Sequence, residues 1–327
     1  MDFELSEDQE ALVDGVRAVL DGRFGIADVR AMIDAGLDRD RWGELGQTGV
    51  FSLALDEDAG GVGLGWADAV LVFEQLGRCL VPGPTVATAV SAGLVDGAAT
   101  GEVVVGALER LEGPVLLEHA VDLDLVVIYD DEGLWLVEAG SLDLEPAPRP
   151  LDPLTPVSQV RGDLPRGERI GDAAASLDFQ RRGAVLTSAI QLGLAGGATD
   201  LAVAYAKERE QFGRPIGSFQ AVKHICADML GRLEVCRAAV YMAGVTLDDP
   251  VVGDPDRALS VARILADHTS SANGKDRVQV HGGMGYTWEV DAHLFLKRAW
   301  VLEPTFGSAD HHAEWMADTT LGAVSSA

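Results

Sequence analysis

Apolar residues along this chain fall into three regimes. In the first hundred residues they recur at three- and four-residue steps. Ala11, Leu12, Val16, Val19 and Leu20 share one face, which predicts a helix. Ser6 followed by Gln9 predicts a capping box at its start. Shorter helical stretches follow at 26–35 and 39–45, then a glycine-rich connection at 57–65. A strongly apolar helix starts at Trp66 and is ended by Pro82, Gly83 and Pro84. A small-residue helix follows at 85–97. After Gly101 the pattern becomes short runs of Val, Leu and Ile at 103–107, 115–117, 123–129 and 134–137, which predict strands. Asp130, Asp131, Glu132 and Gly133 suit a hairpin turn between the last two. Six of the 13 prolines lie in 140–166, so loops and strand edges are expected there. From about Ala173 the helical period returns. Windows near 175–207, 219–247, 254–281, 290–302 and 308–320 read as long antiparallel helices. In the clearest, Val222, Ile225, Met229, Leu233, Cys236 and Val240 form one stripe. The expected fold is mostly α with a small β domain: a helical domain at 1–100, a reduced β domain at 101–172 and a four-helix bundle at 173–327.

The uncharged run 183–199 is long enough to test as a membrane span. Its Thr187, Ser188 and Gln191 favour a helix buried at the centre of a bundle. Gly196 and Gly197 within it suggest close helix packing. Acids outnumber bases by 52 to 25, for a net charge of −27. That balance argues against nucleic acid and against a polybasic membrane anchor. The acidic opening MDFELSEDQE is unlike a signal peptide. Three cysteines, Cys79, Cys226 and Cys236, have no paired spacing. They offer neither a disulfide framework nor a CxxC zinc site, and a cytoplasmic setting is expected. HExxH and GxSxG are absent, and no metal site is expected. His311 and His312 are adjacent and read as a solvated pair at a helix start.

Two segments remain as candidates for chemistry. In YAKEREQFGRPIGSFQ, residues 205–220, Arg209 stands in the last turn of a helix expected to stop at Gly213. Arg209 either complements the helix dipole or projects with Gln211 towards an anion, for which a guanidinium fork is suited. Phe212 beside them could cover a flat ring. In RVQVHGGMGYTWE, residues 277–289, Gly282, Gly283 and Gly285 follow a helix. They form either a plain C-cap or a place where backbone approaches a ligand closely, with Gln279 one turn earlier. No strand precedes the glycines, so this is not a Rossmann fingerprint.

Together, REQFGRPIGSFQ and QVHGGMGYTWE closely resemble the acyl-CoA dehydrogenase family, and DEDAGGVGLGWADAVLVFEQLGR near the amino end is similar to it too. The resemblance covers nearly the whole chain and is weak only between about residues 100 and 177. It implies a helical–β–bundle architecture and FAD. It also implies removal of hydrogens from Cα and Cβ of an acyl-CoA, with an electron-transfer flavoprotein or similar acceptor. It further implies that Arg209, Gln211 and Phe212 contact the FAD of a neighbouring subunit. Gln279, Gly282 and Gly283 would meet its ADP part, and Gln220 would be a further contact.

Three departures from the family pattern change this expectation. The Thr-Glu segment that helps to hold the flavin ring is missing from VVVGALERLEGPVLLEHAVDLDLVV, residues 103–127, which implies that this chain does not hold its own ring. Gly183 and Phe306 occupy the two usual positions of the catalytic glutamate, and neither can accept a proton. The chain therefore resembles the base-lacking subunit of heterotetrameric, steroid-degrading actinobacterial acyl-CoA dehydrogenases, whose homologous partner supplies the base. Two alternatives stand beside it: a self-sufficient homotetramer using Glu303 as an unusual base, and a structural subunit without redox chemistry.

Overall fold

The computed structural model describes residues 5–33, 35–111 and 113–325, with the side chains of 322–325 outside the description. In chain order the elements run α1 Glu7–Arg23, α2 Ile26–Ala31, α3 Arg39–Gln47, α4 Trp66–Arg78 and α5 Thr85–Val90. Strands β1 Val105–Glu109, β2 Val115–Glu118, β3 Leu125–Asp130, β4 Gly133–Glu138, β5 Leu144–Pro146, β6 Val157–Val160 and β7 Glu168–Asp172 follow. The long helix α6 Ala173–Glu208 leads to a ribbon, β8 Glu210–Gln211 and β9 Arg214–Pro215. Helices α7 Gln220–Asp248, α8 Pro255–His281, α9 Ala292–Leu302 and α10 Ala309–Ser325 complete the chain. The fold is mostly helical with small sheets in the middle. The residues gather into two compact units, one of Met1–Ala27, Val70–Val81 and Ala184–Ala327, the other of Asp28–Ala69 and Pro82–Gly183.

Local sequence rules account for many element ends. The Ser6 hydroxyl accepts from the Gln9 amide at 3.2 Å, and the Gln9 side chain accepts from the Ser6 amide at 3.1 Å, closing the expected capping box. The β3–β4 hairpin turns at Asp130↔Gly133. There the Asp130 carboxylate accepts from the amides of Glu132 at 2.8 Å and Gly133 at 3.2 Å. Two helices are shorter than their patterns predict. The one expected at 85–97 ends at Val90, because Ser91, Gly93 and the left-handed Gly97 (φ 82) break the period into successive turns. The one expected at 26–35 ends at Ala31.

In the strand-bearing unit, β1 pairs parallel with β3, and β3–β4–β7 continue antiparallel. A second, antiparallel sheet runs β2–β6–β5. Val126, Val127, Ile128 and Leu134 are fully buried at the centre of the first sheet. The proline-rich segment is tied down by Arg110, which donates to Asp130 and to the carbonyls of Leu164 and Pro165, each at 3.0 Å.

In the helical unit, α6 is the axial element. Every residue from 183 to 199 is buried, and among the described residues no helix is long and apolar enough to cross a membrane. Glycines let its backbone touch its neighbours. A Cβ on Gly193 would meet the Arg78 amide nitrogen at 2.8 Å, and one on Gly197 would meet Phe295 at 2.6 Å. The stripe of α7 faces inward as expected, with Met229, Leu233, Cys236 and Val240 buried. Glu74 of α4, almost fully buried, receives the Tyr241 hydroxyl at 2.8 Å and Arg237 at 3.2 Å from α7.

Candidate functional site

Helix α6 ends at Glu208, at the limit of its apolar period and short of the stop expected at Gly213. The Arg209 amide still donates to Tyr205 at 2.8 Å, but from Glu210 the chain runs as a two-stranded ribbon, not as helix up to Gly213. The ribbon pairs Glu210 with Pro215 and Gln211 with Arg214, and the Ile216 amide donates to the Arg209 carbonyl at 2.8 Å. Its two turn residues, Phe212 (φ 54) and Gly213 (φ 77), are both left-handed, as a type I′ turn requires. Glycine adopts this freely, whereas a phenylalanine there costs about 1–2 kcal/mol. Phe212 is also 93% exposed. A strained, exposed aromatic side chain gains nothing from the core of its own chain.

Cross-strand partners, and alternate residues along a strand, share one face. Arg209, Gln211 and Arg214 therefore project from the same side of the ribbon. The Arg214 guanidinium lies over the Phe219 ring, 4.2 Å from its centroid, and Phe212 meets that ring edge-on at 6.0 Å. The guanidinium groups of Arg209 and Arg214 have no hydrogen bond or ion pair to any described residue. This is notable in a chain with more than twice as many acids as bases. The Gln211 amide donates to the Glu210 carbonyl at 2.8 Å. Gln220 opens α7 and is exposed.

The second segment closes α8. Gln279 is exposed, and Gly282 (φ 61) caps the helix. A Cβ on Gly282 or Gly283 would have no heavy atom within 4 Å, whereas one on Gly285 would meet the Val278 carbonyl oxygen at 2.6 Å. Two of the three glycines thus border open space, and the third is required by packing. His281 donates from Nδ1 to the Arg277 carbonyl at 2.8 Å, since a carbonyl can only accept, and burial lowers its pKa.

The two segments, far apart in sequence, meet. Tyr205 stacks on His281 with centroids 4.0 Å apart and planes within 15°. Beneath them Ala202, Ala206, Met229 and Val280 form an apolar cluster, joined by Ile216, Val222 and Ile225. The carboxyl end of α6, the ribbon, the start of α7 and the end of α8 thus form one end of the helical unit. Every expected cofactor contact lies there. Arg214, paired with Gln211 on the ribbon, lies on the same face and was not expected from the sequence. The signal was present, since a two-residue turn at Phe212–Gly213 places residue 214 opposite residue 211.

Gly183 and Phe306, expected at the two base positions, are both buried. Gly183 is buried within α6. Phe306 is buried and left-handed (φ 54) in the turn between α9 and α10. That turn is clamped by Arg263, which is wholly buried. It donates to the Gly307 carbonyl at 2.7 Å, the Glu303 carbonyl at 3.0 Å and the Gln191 amide oxygen at 2.7 Å. Gln191 in turn donates to Asp267 at 3.1 Å. Burial pushes the Asp267 carboxyl up, against the lowering effects of Arg263 and Gln191. The backbone of Glu303 is held in this clamp while the residue itself is exposed.

Next to the clamp, the expected solvated histidine pair is only half right. His311 is exposed, but His312 is buried, with Nδ1 3.1 Å from the Ser260 hydroxyl. Adjacent helical residues point about 100° apart, so α10 can pack on α8 only by burying one of the two. Among the described residues no group of three metal-ligating side chains comes together.

Comparison with known proteins gives a consistent picture. Residues 6–102 match the family model for the acyl-CoA dehydrogenase N-terminal domain, and residues 173–321 match that for the C-terminal domain. Acyl-CoA dehydrogenase IpdE2 of Mycolicibacterium smegmatis is 33% identical over 312 residues, covering 90% of this chain and 93% of the relative. Acyl-CoA dehydrogenase FadE34 of Mycobacterium tuberculosis is 36% identical over 284 residues, 78% of this chain. The match spans only 38% of that longer relative. Among solved structures, a variant of the Tcur3481–Tcur3483 steroid ACAD superposes with a TM-score of 0.84 at 24% identity, covering 98% of this chain and 99% of that one.

Proposed function

Because the chain belongs to the acyl-CoA dehydrogenase family, whose cofactor is FAD, we propose that it acts as one subunit of a heteromeric FAD-dependent acyl-CoA dehydrogenase. In this reading it lends its exposed ribbon face to a flavin whose ring sits in a homologous partner, and the partner supplies the catalytic base. The donor set fits the cofactor. An exposed, unpaired guanidinium and an amide suit a diphosphate, and Gly282 and Gly283 leave room for close approach of an adenosine portion.

When bound, FAD would supply the acceptor for the β-hydride of the acyl thioester. The residues of this chain bind and orient. Arg209 and Gln211 would hold the diphosphate, Phe212 would cover the cofactor, and Gln279 and Gln220 would add polar contacts. Proton abstraction from Cα needs a titratable group within reach. Phe306 offers a hydrocarbon ring, and Glu303 has its backbone tied to Arg263. Phe306 is the observation that supports the proposal, because it is a buried aromatic at the position where the family resemblance leads one to expect a glutamate.

An acyl-CoA is the substrate of the complex, and a steroid-derived thioester is the class we favour. The Tcur3481–Tcur3483 protein, which shares the fold, is a steroid ACAD named for two components. An electron-transfer flavoprotein would take up the electrons. The test is expression of the chain alone and together with a homologous dehydrogenase subunit, followed by visible absorbance and FAD per complex. A colourless product alone and a yellow, stoichiometric complex are expected. A yellow homo-oligomer from solo expression would overturn the proposal, and a colourless complex would leave a structural subunit.

A further inference from the structure

We infer that Arg214 is a second anion-binding residue of the ribbon, acting beside Arg209 on the same diphosphate; the inference rests on the function proposed above. Three observations lead to it. The register Gln211↔Arg214 and the Ile216-to-Arg209 hydrogen bond put Arg209, Gln211 and Arg214 on one face. Neither guanidinium has a hydrogen bond or ion pair among the described residues. The Arg214 guanidinium is also laid over the Phe219 ring at 4.2 Å, while Phe212 touches the same ring edge-on.

The last contact distinguishes Arg214 from an ordinary surface arginine. A free arginine loses side-chain entropy when it captures an anion. Stacking on Phe219 removes much of that freedom beforehand and leaves the N–H edge of the guanidinium free to donate. A diphosphate carries charge on both phosphates, and one arginine fork serves one phosphate well. Two arginines and an amide on the strands flanking a two-residue turn give each phosphate its own donors. Phe219 is then a positioning residue, since it orders Arg214 on its face and braces the strained Phe212 at its edge.

The test is titration of FAD into the deflavinated complex of the full chain with its dehydrogenase partner, at low and high salt. Arg214→Gln is expected to weaken FAD at least about tenfold and to reduce the loss of affinity on adding salt. Arg214→Lys, which keeps the charge but not the planar stack, should fall between Gln and wild type. Phe219→Leu should weaken FAD several-fold without changing the salt dependence. The Arg214 side chain is exposed on the ribbon, so thermal stability should hold in both Arg214 variants. FAD affinity of Arg214→Gln within twofold of wild type, while Arg209→Ala still strips the flavin, would overturn the role of Arg214 and leave the shared site standing. A wild-type complex that takes up no FAD would sink both readings.

Discussion

Tyr205 lies flat on His281, with ring centroids 4.0 Å apart and planes within 15°. One ring belongs to the last turns of α6, just before the ribbon. The other is the last residue of α8, just before the glycine cap. The stack therefore sets the spacing between the arginine-bearing ribbon and the open glycines.

This contact should be separable from the Tyr205 hydroxyl, which bonds no described residue. Tyr205→Phe should keep stability within about 0.5 kcal/mol and leave FAD affinity unchanged. Tyr205→Ala removes a half-buried ring and its stacking partner, so a loss of about 2 kcal/mol is expected, with weaker FAD binding in the complex. Urea unfolding and flavin titration of both variants provide the check.

Arg209 carries the largest single expectation. Arg209→Ala in this chain should lower FAD affinity of the complex about 10²-fold, through loss of a charged donor to an anion. Stability of the isolated chain should barely move, because the side chain has no hydrogen bond or ion pair among the described residues. If the residue only complemented the α6 dipole, the result would invert, with a small stability loss and unchanged flavin content.

Glu303 should prove dispensable. Glu303→Gln is expected to leave turnover of the complex within about twofold, since the clamp contact uses the backbone carbonyl, which the substitution preserves. A general base contributes about 10²–10⁴-fold, so a loss of that size with FAD retained would restore the self-sufficient reading.

His312 gives the fold a pH signature. Burial, with Arg263 and His311 adding to it, pushes its pKa down to about 4, against about 6.5 when unfolded. The folded pKa is depressed, so the unfolded chain binds the proton first as pH falls. The stability linked to the neutral ring is fully present above about pH 6.5 and is lost as pH falls towards 4, by about 2 kcal/mol at pH 5. His312→Asn, which cannot titrate, should flatten the pH dependence of the urea midpoint between pH 6.5 and 5. Equal slopes for the two proteins would show that this ring does not govern it.

Much of this architecture was readable from local rules. The capping box at Ser6 and Gln9, the turn at Asp130–Gly133 and the inward stripe of α7 each depend on residues a few positions apart. Their energetics are set by backbone geometry, which the chain carries with it everywhere. The same holds for the end of α6, which the apolar period puts near residue 207 and which closes at Glu208, while the stop expected at Gly213 falls in the ribbon turn. Glycine requirements were legible as positions but not as reasons. Gly282, Gly283 and Gly285 look alike in sequence, and only the packing of Val278 separates the third from the first two.

The sequence by itself singled out the two candidate cofactor segments and the residues Gly183 and Phe306 where a glutamate was expected. The tertiary structure alone decided that those segments share one end of the helical unit, through Tyr205 and His281. It also decided that His312 is buried while His311 is not, and that Arg263 reaches 72 residues back to Gln191 and forward to Gly307 to lock the turn at Phe306. The physical reason is the range of the interactions. A helical period or a cap is decided within about four residues. A buried guanidinium must instead find acceptors wherever the packed helices bring them, and no spacing along the chain announces which carbonyls those will be.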